Sequence, residues 1–198
     1  MEDYKRFFQY LYKFIDLSFD EFEEYIRPFI AIRQYVRKAY ITKKGEVENH
    51  FNFISTGLVR KFYKKDGEEI NVQISTEGHF IHAQESFHSR TPTEYYIQTL
   101  ESTTLVSITH ENLEKLYSQN AKMERLGRLV ITFTVLLRDK WQMQMIQLTP
   151  RERFLKFVEN NPDLLQRVPQ KFLASYLNIQ PETFSRFKHL VKGKGDKE

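Results

Sequence analysis

Four polar residues at helical spacing, Glu182, Ser185, Arg186 and His189, are where residue types in this chain first suggest a chemistry. They share one side of the segment 181–191, and Phe184, Phe187 and Val191 share the other. A polar, arginine-bearing helix with a buried apolar seam is what reading a major groove requires. A second concentration of reactive types is His79, His82, Glu85 and His88. Histidine is a common metal ligand, but the spacing is loose and the stretch reads as a loop. Polar surface or effector-pocket lining is the expectation there, and no metal site is assigned. Neither a Gly-x-Ser-x-Gly, a phosphate-cradling Gly-x-x-x-x-Gly-Lys nor a His-Glu-x-x-His pattern occurs, so nothing points to catalysis.

The elements that must position the polar face come next. Phe172, Leu173, Tyr176 and Leu177 form one face of a preceding helix, and Ala174 is small where a second helix must cross. Asn178 tolerates the left-handed conformation that ends a helix, and Pro181 suits the first residue of the next. Residues 168–190 thus read as a helix–turn–helix. An ordinary helical hairpin has the same spacing.

Upstream, Thr149 and Pro150 start a helix whose apolar face is Phe154, Leu155 and Val158, and Asn160-Asn161-Pro162 stops it. Residues 164–169 read as a link. Before it, residues 121–147 read as a long helix in which Leu126, Leu129, Phe133 and Leu136 follow a heptad pattern, widened by Val130, Leu137 and Trp141. That face suits pairing with a second copy, although a core helix within one protomer would also explain it. Residues 111–118 read as a short helix. Strands are expected at 32–40, 51–55, 58–63, 70–75, 95–100 and 104–108, with Asp66-Gly67 as a hairpin turn. Two N-terminal helices bury Phe7, Phe8, Leu11 and Phe14, then Phe22, Tyr25 and Ile26, the second behind a Ser18–Glu21 capping box.

Composition narrows the class. The 198 residues are 40% hydrophobic, enough for a core. Cysteine is absent, which removes disulfides, thiol nucleophiles and cysteine-held iron–sulfur clusters. No apolar run approaches the ~20 residues that span a bilayer, and the charged start is no secretory signal. A soluble, cytoplasmic protein with no membrane partner is expected. The net charge of +4 lies wholly from residue 148 onward, where ten basic residues face six acidic ones. A phosphate-contacting surface would need such an excess.

In this order the parts resemble the Crp/Fnr superfamily of bacterial transcription regulators over nearly the whole chain. The resemblance rests on Lys44-Gly45-Glu46, Phe53-Ile54-Ser55-Thr56-Gly57-Leu58-Val59, Asp66-Gly67-Glu68-Glu69-Ile70 and Glu77-Gly78-His79-Phe80-Ile81. It rests more specifically on 173–179 followed by Pro181-Glu182-Thr183-Phe184-Ser185-Arg186. It implies an α+β chain: a β-roll of the cyclic-nucleotide-binding, double-stranded β-helix or jelly-roll type with N-terminal helices (1–118), a dimerisation helix (119–147) and a helix–turn–helix domain with a disordered tail (148–198).

By the same resemblance Glu182 and Arg186 read base edges. Arg186 can give two hydrogen bonds to guanine and Glu182 can accept one from cytosine, with Ser185 beside them. Gln170, Lys171, Gln180, Thr183, Lys188, His189 and Lys192 are expected at the DNA backbone. Leu126, Leu129, Val130, Phe133, Leu136 and Leu137 are expected at the dimer interface. His79, His82, Glu85, Ser86, Thr93 and Glu94 are expected around an effector pocket.

Cyclic-nucleotide binders of this fold carry a glutamate after the Gly78 turn and a later Arg-Ser or Arg-Thr pair. Here His79 and Thr93-Glu94 stand there, and a carboxylate repels a cyclic phosphate. Neither a cyclic nucleotide nor any other cofactor is therefore expected, and the effector is left open. Double-stranded DNA at a near-palindromic site, a second copy of the chain, a small-molecule effector and RNA polymerase are the implied partners. The alternative is a cupin-like metal- or small-molecule-binding roll, enzyme or sensor, whose C-terminal helices serve assembly. It lacks the usual His-x-His pair.

Overall fold

Strands form where alternating apolar runs are cut by residues that can turn the chain. The computed structural model describes residues 2–192, with side chains as far as His189. Among these residues the strands are β1 (Ile30–Tyr35), β2 (Tyr40–Thr42), β3 (His50–Thr56), β4 (Val59–Lys65), β5 (Glu68–Ser75), β6 (Phe80–Ile81), β7 (Tyr96–Thr99) and β8 (Thr103–Thr109). They build two four-stranded sheets, in the orders β1-β8-β3-β6 and β2-β7-β4-β5. Ile54, Ile81 and Leu105 from the first sheet meet Val59 and Ile97 from the second in a cluster with no exposed surface. Asp66 and Gly67 both take positive φ, 52° and 82°, as the β4–β5 hairpin turn requires.

The helices are α1 (Glu2–Leu11), α2 (Phe19–Glu21), which runs on as a π-helical turn over Phe22–Ile26, α3 (Gln84–Ser89), α4 (His110–Gln119), α5 (Ala121–Gln147), α6 (Pro150–Asn160), α7 (Leu164–Arg167), α8 (Gln170–Tyr176) and α9 (Pro181–Lys192). The α+β architecture expected, an antiparallel roll and one long helix, is present. The expected capping box of Ser18 with Glu21 forms, and the expected N-cap Thr149 forms a second one with Glu152. No helix among the described residues is long and apolar enough to cross a membrane.

Four expectations need correction. The strand expected at 32–40 is two strands in different sheets, because Lys38 turns left-handed at φ 66° and carries the chain across. Thr99 holds that crossing, its hydroxyl donating to the Val36 carbonyl at 2.8 Å. The stretch around Glu85, expected as a loop, is helix α3. The link expected at 164–169 contains α7. On α6 the buried pair is Phe154 and Phe157, and Leu155 faces solvent at 45% exposure. The expected tail, 193–198, lies outside the described residues.

The chain forms two compact units. One contains the residues up to Tyr63 together with Gln73–Leu136; the other contains Lys64–Val72 together with the residues from Leu137 onward. In the first, an aromatic core gathers Phe7, Tyr10, Phe22, Phe53 and Phe80, and the start of α5 packs onto it through Met123, Leu126 and Val130. Leu126 and Val130, each 4% exposed, are therefore core residues of their own protomer and cannot face a second copy. Their heptad spacing is real, but the stripe is wide enough to serve two surfaces. Phe133, Leu136 and Leu137 are exposed at 40%, 54% and 42%, and Leu129 is half-buried.

Gly127 explains how α4 approaches α5. A Cβ there would lie 2.0 Å from the Tyr117 hydroxyl and 2.4 Å from its ring. In an open helix Gly→Ala is stabilising by about 1 kcal/mol, whereas overpacking a filled site costs about 1–3 kcal/mol. Gly127→Ala should therefore lower the thermal midpoint. In a Tyr117→Ala background the same substitution should raise it. A stabilised single variant would mean that Tyr117 is free to move aside.

Candidate nucleic-acid interface

Helices α8 and α9 and the turn between them lie in the second unit, and their geometry follows from apolar positions on three helices. Phe184 of α9 is fully buried, its ring edge-on to Phe154 of α6 at 5.1 Å. Phe187 adds a tilted contact with Phe154 at 5.7 Å. Leu173 and Ala174 of α8 are 0% and 1% exposed, so both lie inside the unit. Asn178 turns left-handed at φ 50°, and the Ile179 N–H returns to the Ala174 carbonyl at 2.9 Å. Trp141, the single tryptophan, stacks on Tyr176 with centroids 4.4 Å apart and planes 6° from parallel.

With its apolar side held in this way, α9 presents Glu182, Arg186 and His189 as exposed side chains, and Ser185 beside them as half-buried. Among the described residues no ion pair joins Glu182 to Arg186. Gln170 and Lys171 are exposed at the start of α8, and Gln180 is exposed just before α9. Thr183 and Lys188 are half-buried. The side chain of Lys192 lies outside the described residues.

Six hydrogen bonds here were not legible in the sequence. The Arg153 guanidinium donates to the Leu177 and Asn178 carbonyls in the turn, at 3.0 Å each. It also donates to the Leu148 and Met145 carbonyls, at 2.8 and 3.2 Å. The sequence offers one hint: Arg153 is a cation in the first turn of α6, where the helix dipole disfavours it. The tip of the β4–β5 hairpin belongs to this unit, and the Asn71 N–H donates to Ser175 Oγ on α8 at 2.9 Å. Ser175 Oγ in turn donates to the Glu69 carbonyl at 3.3 Å.

The residues expected around an effector separate into two groups in the first unit. His82, Ser86 and Thr93 are buried; His79, Glu85 and Glu94 are exposed, Glu94 paired with Lys44 at 2.6 Å. Of the buried group, Ser86 Oγ accepts at 2.9 Å from the N–H of Glu48, a residue that the sequence did not single out. Glu48, 2% exposed, accepts from Thr42 Oγ1 at 2.8 Å, from the His50 N–H at 3.1 Å and from the Ala83 N–H at 3.3 Å. Burial raises its pKa above the usual carboxylate range. The ring of His82 lies 4.3 Å from Phe51, its Nε2 is buried without a partner, and burial holds its pKa well below the usual imidazole value. Among the described residues no three His, Asp or Glu side chains gather as a metal would need.

At this point likeness to known proteins becomes informative. Residues 32–120 match the family model of the cyclic nucleotide-binding domain. Over most of its length the chain has the fold of several solved structures. FixK2 from Bradyrhizobium japonicum is 15% identical with a TM-score of 0.71, covering 84% of this chain and 86% of its own. The c-di-GMP-responsive global regulator CLP of Xanthomonas campestris is also 15% identical, with a TM-score of 0.67 and coverage of 87% and 91%. The catabolite activator protein of Thermus thermophilus is 16% identical, with a TM-score of 0.57 and coverage of 94% and 88%. No curated protein matches by sequence.

Within the matched segment, the Thr93 hydroxyl accepts from the Tyr95 N–H at 3.0 Å, and the Glu94 carboxylate holds Lys44. The same segment contains a pH-sensitive group. Burial, and secondarily the charge of Arg33, lower the His50 pKa from 6.5 to about 4. Because the folded value is the lower one, the neutral ring's contribution is complete above pH 6.5 and is lost as pH falls toward 4. Denaturant titrations across this window should show a shallower loss of stability for His50→Gln, with His82 still contributing. An unchanged slope would exclude His50 as a carrier of the acid sensitivity.

Proposed function

We propose that the protein is a homodimeric, sequence-specific DNA-binding transcription regulator of the Crp/Fnr type, not an enzyme. The observation that carries this reading is the polar face of α9. Its apolar side is fixed by Phe184 against Phe154, while Glu182, Arg186 and His189 are left exposed. A helix held by one side and chemically free on the other can enter a major groove. Arg186 offers the paired donors that guanine O6 and N7 accept, and Glu182 the acceptor that cytosine N4 needs. Gln170, Lys171, Gln180 and His189 flank that face and would hold the phosphates. Two of the solved structures sharing this fold are themselves a global regulator and an activator.

The second copy would pair along α5 through Leu129, Phe133, Leu136 and Leu137, placing two α9 helices about one helical turn of DNA apart. RNA polymerase would be the partner at a promoter. An effector in the roll, if the protein uses one, would act by shifting the dimer between arrangements. Cyclic nucleotides fit poorly: Glu48 already accepts the Ala83 N–H, and Thr93-Glu94 bring a hydroxyl and a carboxylate where a phosphate wants cations.

Selection from random duplex DNA with the ligand-free protein should enrich an inverted repeat, and binding should weaken steeply with added salt. Arg186→Ala should relax preference at one base pair per half-site and cost roughly 1–3 kcal/mol. An equal loss on every sequence would make Arg186 a phosphate contact instead. Leu136→Lys should halve the mass seen by light scattering and abolish preference for the repeat over a single half-site. A variant that stays dimeric would place the interface elsewhere.

A further inference from the structure

Arg153 stands where its charge is poorly placed for its own helix, in the first turn of α6 after the Thr149 cap. Its geometry shows what holds it there. Nε donates to Leu177, Nη2 to Asn178, and Nη1 to both Leu148 and Met145, over 2.8–3.2 Å. The four accepting carbonyls are of one kind. Each lies at or just past a helix C-terminus, where no N–H of the helix remains to bond it. Met145 and Leu148 close α5; Leu177 and Asn178 form the turn between α8 and α9. One rigid, planar fork therefore ties the end of α5 to the turn that aims the reading helix. A lysine ammonium, a single point with no fork, cannot span such a set.

We propose that Arg153 is the positioning residue of the DNA reader, fixing the direction of α9 against the end of α5. In the dimer this sets the separation of the two reading helices. The inference rests on the dimeric DNA-reading function proposed above. Arg153 has no role in choosing bases, because its donors point at backbone carbonyls of its own chain. Removing it should leave the half-site sequence intact and loosen the spacing between half-sites. The helix pair should survive the loss, since Phe154, Leu173 and Phe184 still close its core.

The test uses the full chain as wild type, Arg153→Met and Arg153→Lys, with duplex libraries in which the gap between half-sites varies. Amide exchange is followed at Asn178 and Ile179 in the same proteins. Wild type should enrich one gap. Arg153→Met should select the same half-site with gaps spread over several lengths, and bind the wild-type repeat about tenfold more weakly. Arg153→Lys should behave like Met, not like wild type, and the turn amides should exchange about tenfold faster in both variants while those of α6 keep their protection.

A folded variant with a single gap and wild-type affinity would overturn the proposal. So would loss of half-site preference together with spacing, or restoration by lysine. If Met does not fold, the lysine variant decides by the same criteria. If even the wild type enriches no sequence, the DNA-reading function itself fails. Exchange then judges the tie alone: unchanged turn amides overturn it, and faster ones support it.

Discussion

The contact between Phe184 and Phe154 is the constraint on which the exposed polar face of α9, the proposed reading surface, depends. A helix offers a groove its polar side only if its other side is buried, and burying a phenylalanine stabilises by roughly 1.5–3 kcal/mol. Phe184 is fully buried and edge-on to Phe154, which is fully buried as well. Ala174 of α8 is buried and its carbonyl takes the Ile179 N–H, and the turn requires Asn178 at positive φ. Each of these fixes the direction of α9 without occupying any donor or acceptor on Glu182, Ser185 or Arg186. The exposed polarity is affordable because the apolar half of the same helix carries the fold.

The long helix solves a related problem in a different way. Its stripe is wide enough to serve two surfaces, and the chain divides it. Leu126 and Val130 are taken by the aromatic core, while Phe133, Leu136 and Leu137 remain outside. Gly127 lets Tyr117 reach into the helix surface, so α4 lies closer than any side chain at that position would allow. A heptad pattern alone cannot say which of its members face inward. That depends on where the roll and α1 happen to lie.

What was legible in the sequence was local. The Ser18–Glu21 capping box, the Thr149 N-cap, the Asp66-Gly67 turn, the left-handed Asn178 and the boundaries of α5 and α9 each follow from a few neighbouring residues, and each formed. What was not legible needed partners distant in the chain. The strand expected through 32–40 contains no glycine, proline or asparagine to announce a break, and the hydroxyl that holds its crossing belongs to Thr99, some sixty residues away. Glu48 reads as one more charged residue in a polar loop, yet it is bonded from three directions at 2% exposure. The polar face of α9 was readable because exposed residues have no distant partners to reveal. Of the residues expected around an effector, His82, Ser86 and Thr93 are buried and His79, Glu85 and Glu94 are exposed.

The charge of the C-terminal part shows why a count of basic residues is a poor guide to a phosphate-binding surface. Arg153 contributes to the positive excess, but its donors are directed at four carbonyls of its own chain. Arg167 bonds Asp163 at 3.1 Å on α7. Neither side chain is presented like Lys171 or Arg186, which are exposed at the start of α8 and on the outer face of α9. Salt dependence of DNA binding reports the phosphates actually neutralised, not the formal charge. A slope near that of a few contacts per protomer therefore fits this surface better than one set by all ten basic residues. In the proposed reader, the arginine that ties the end of α5 to the turn before α9 is directed at backbone carbonyls and not at DNA.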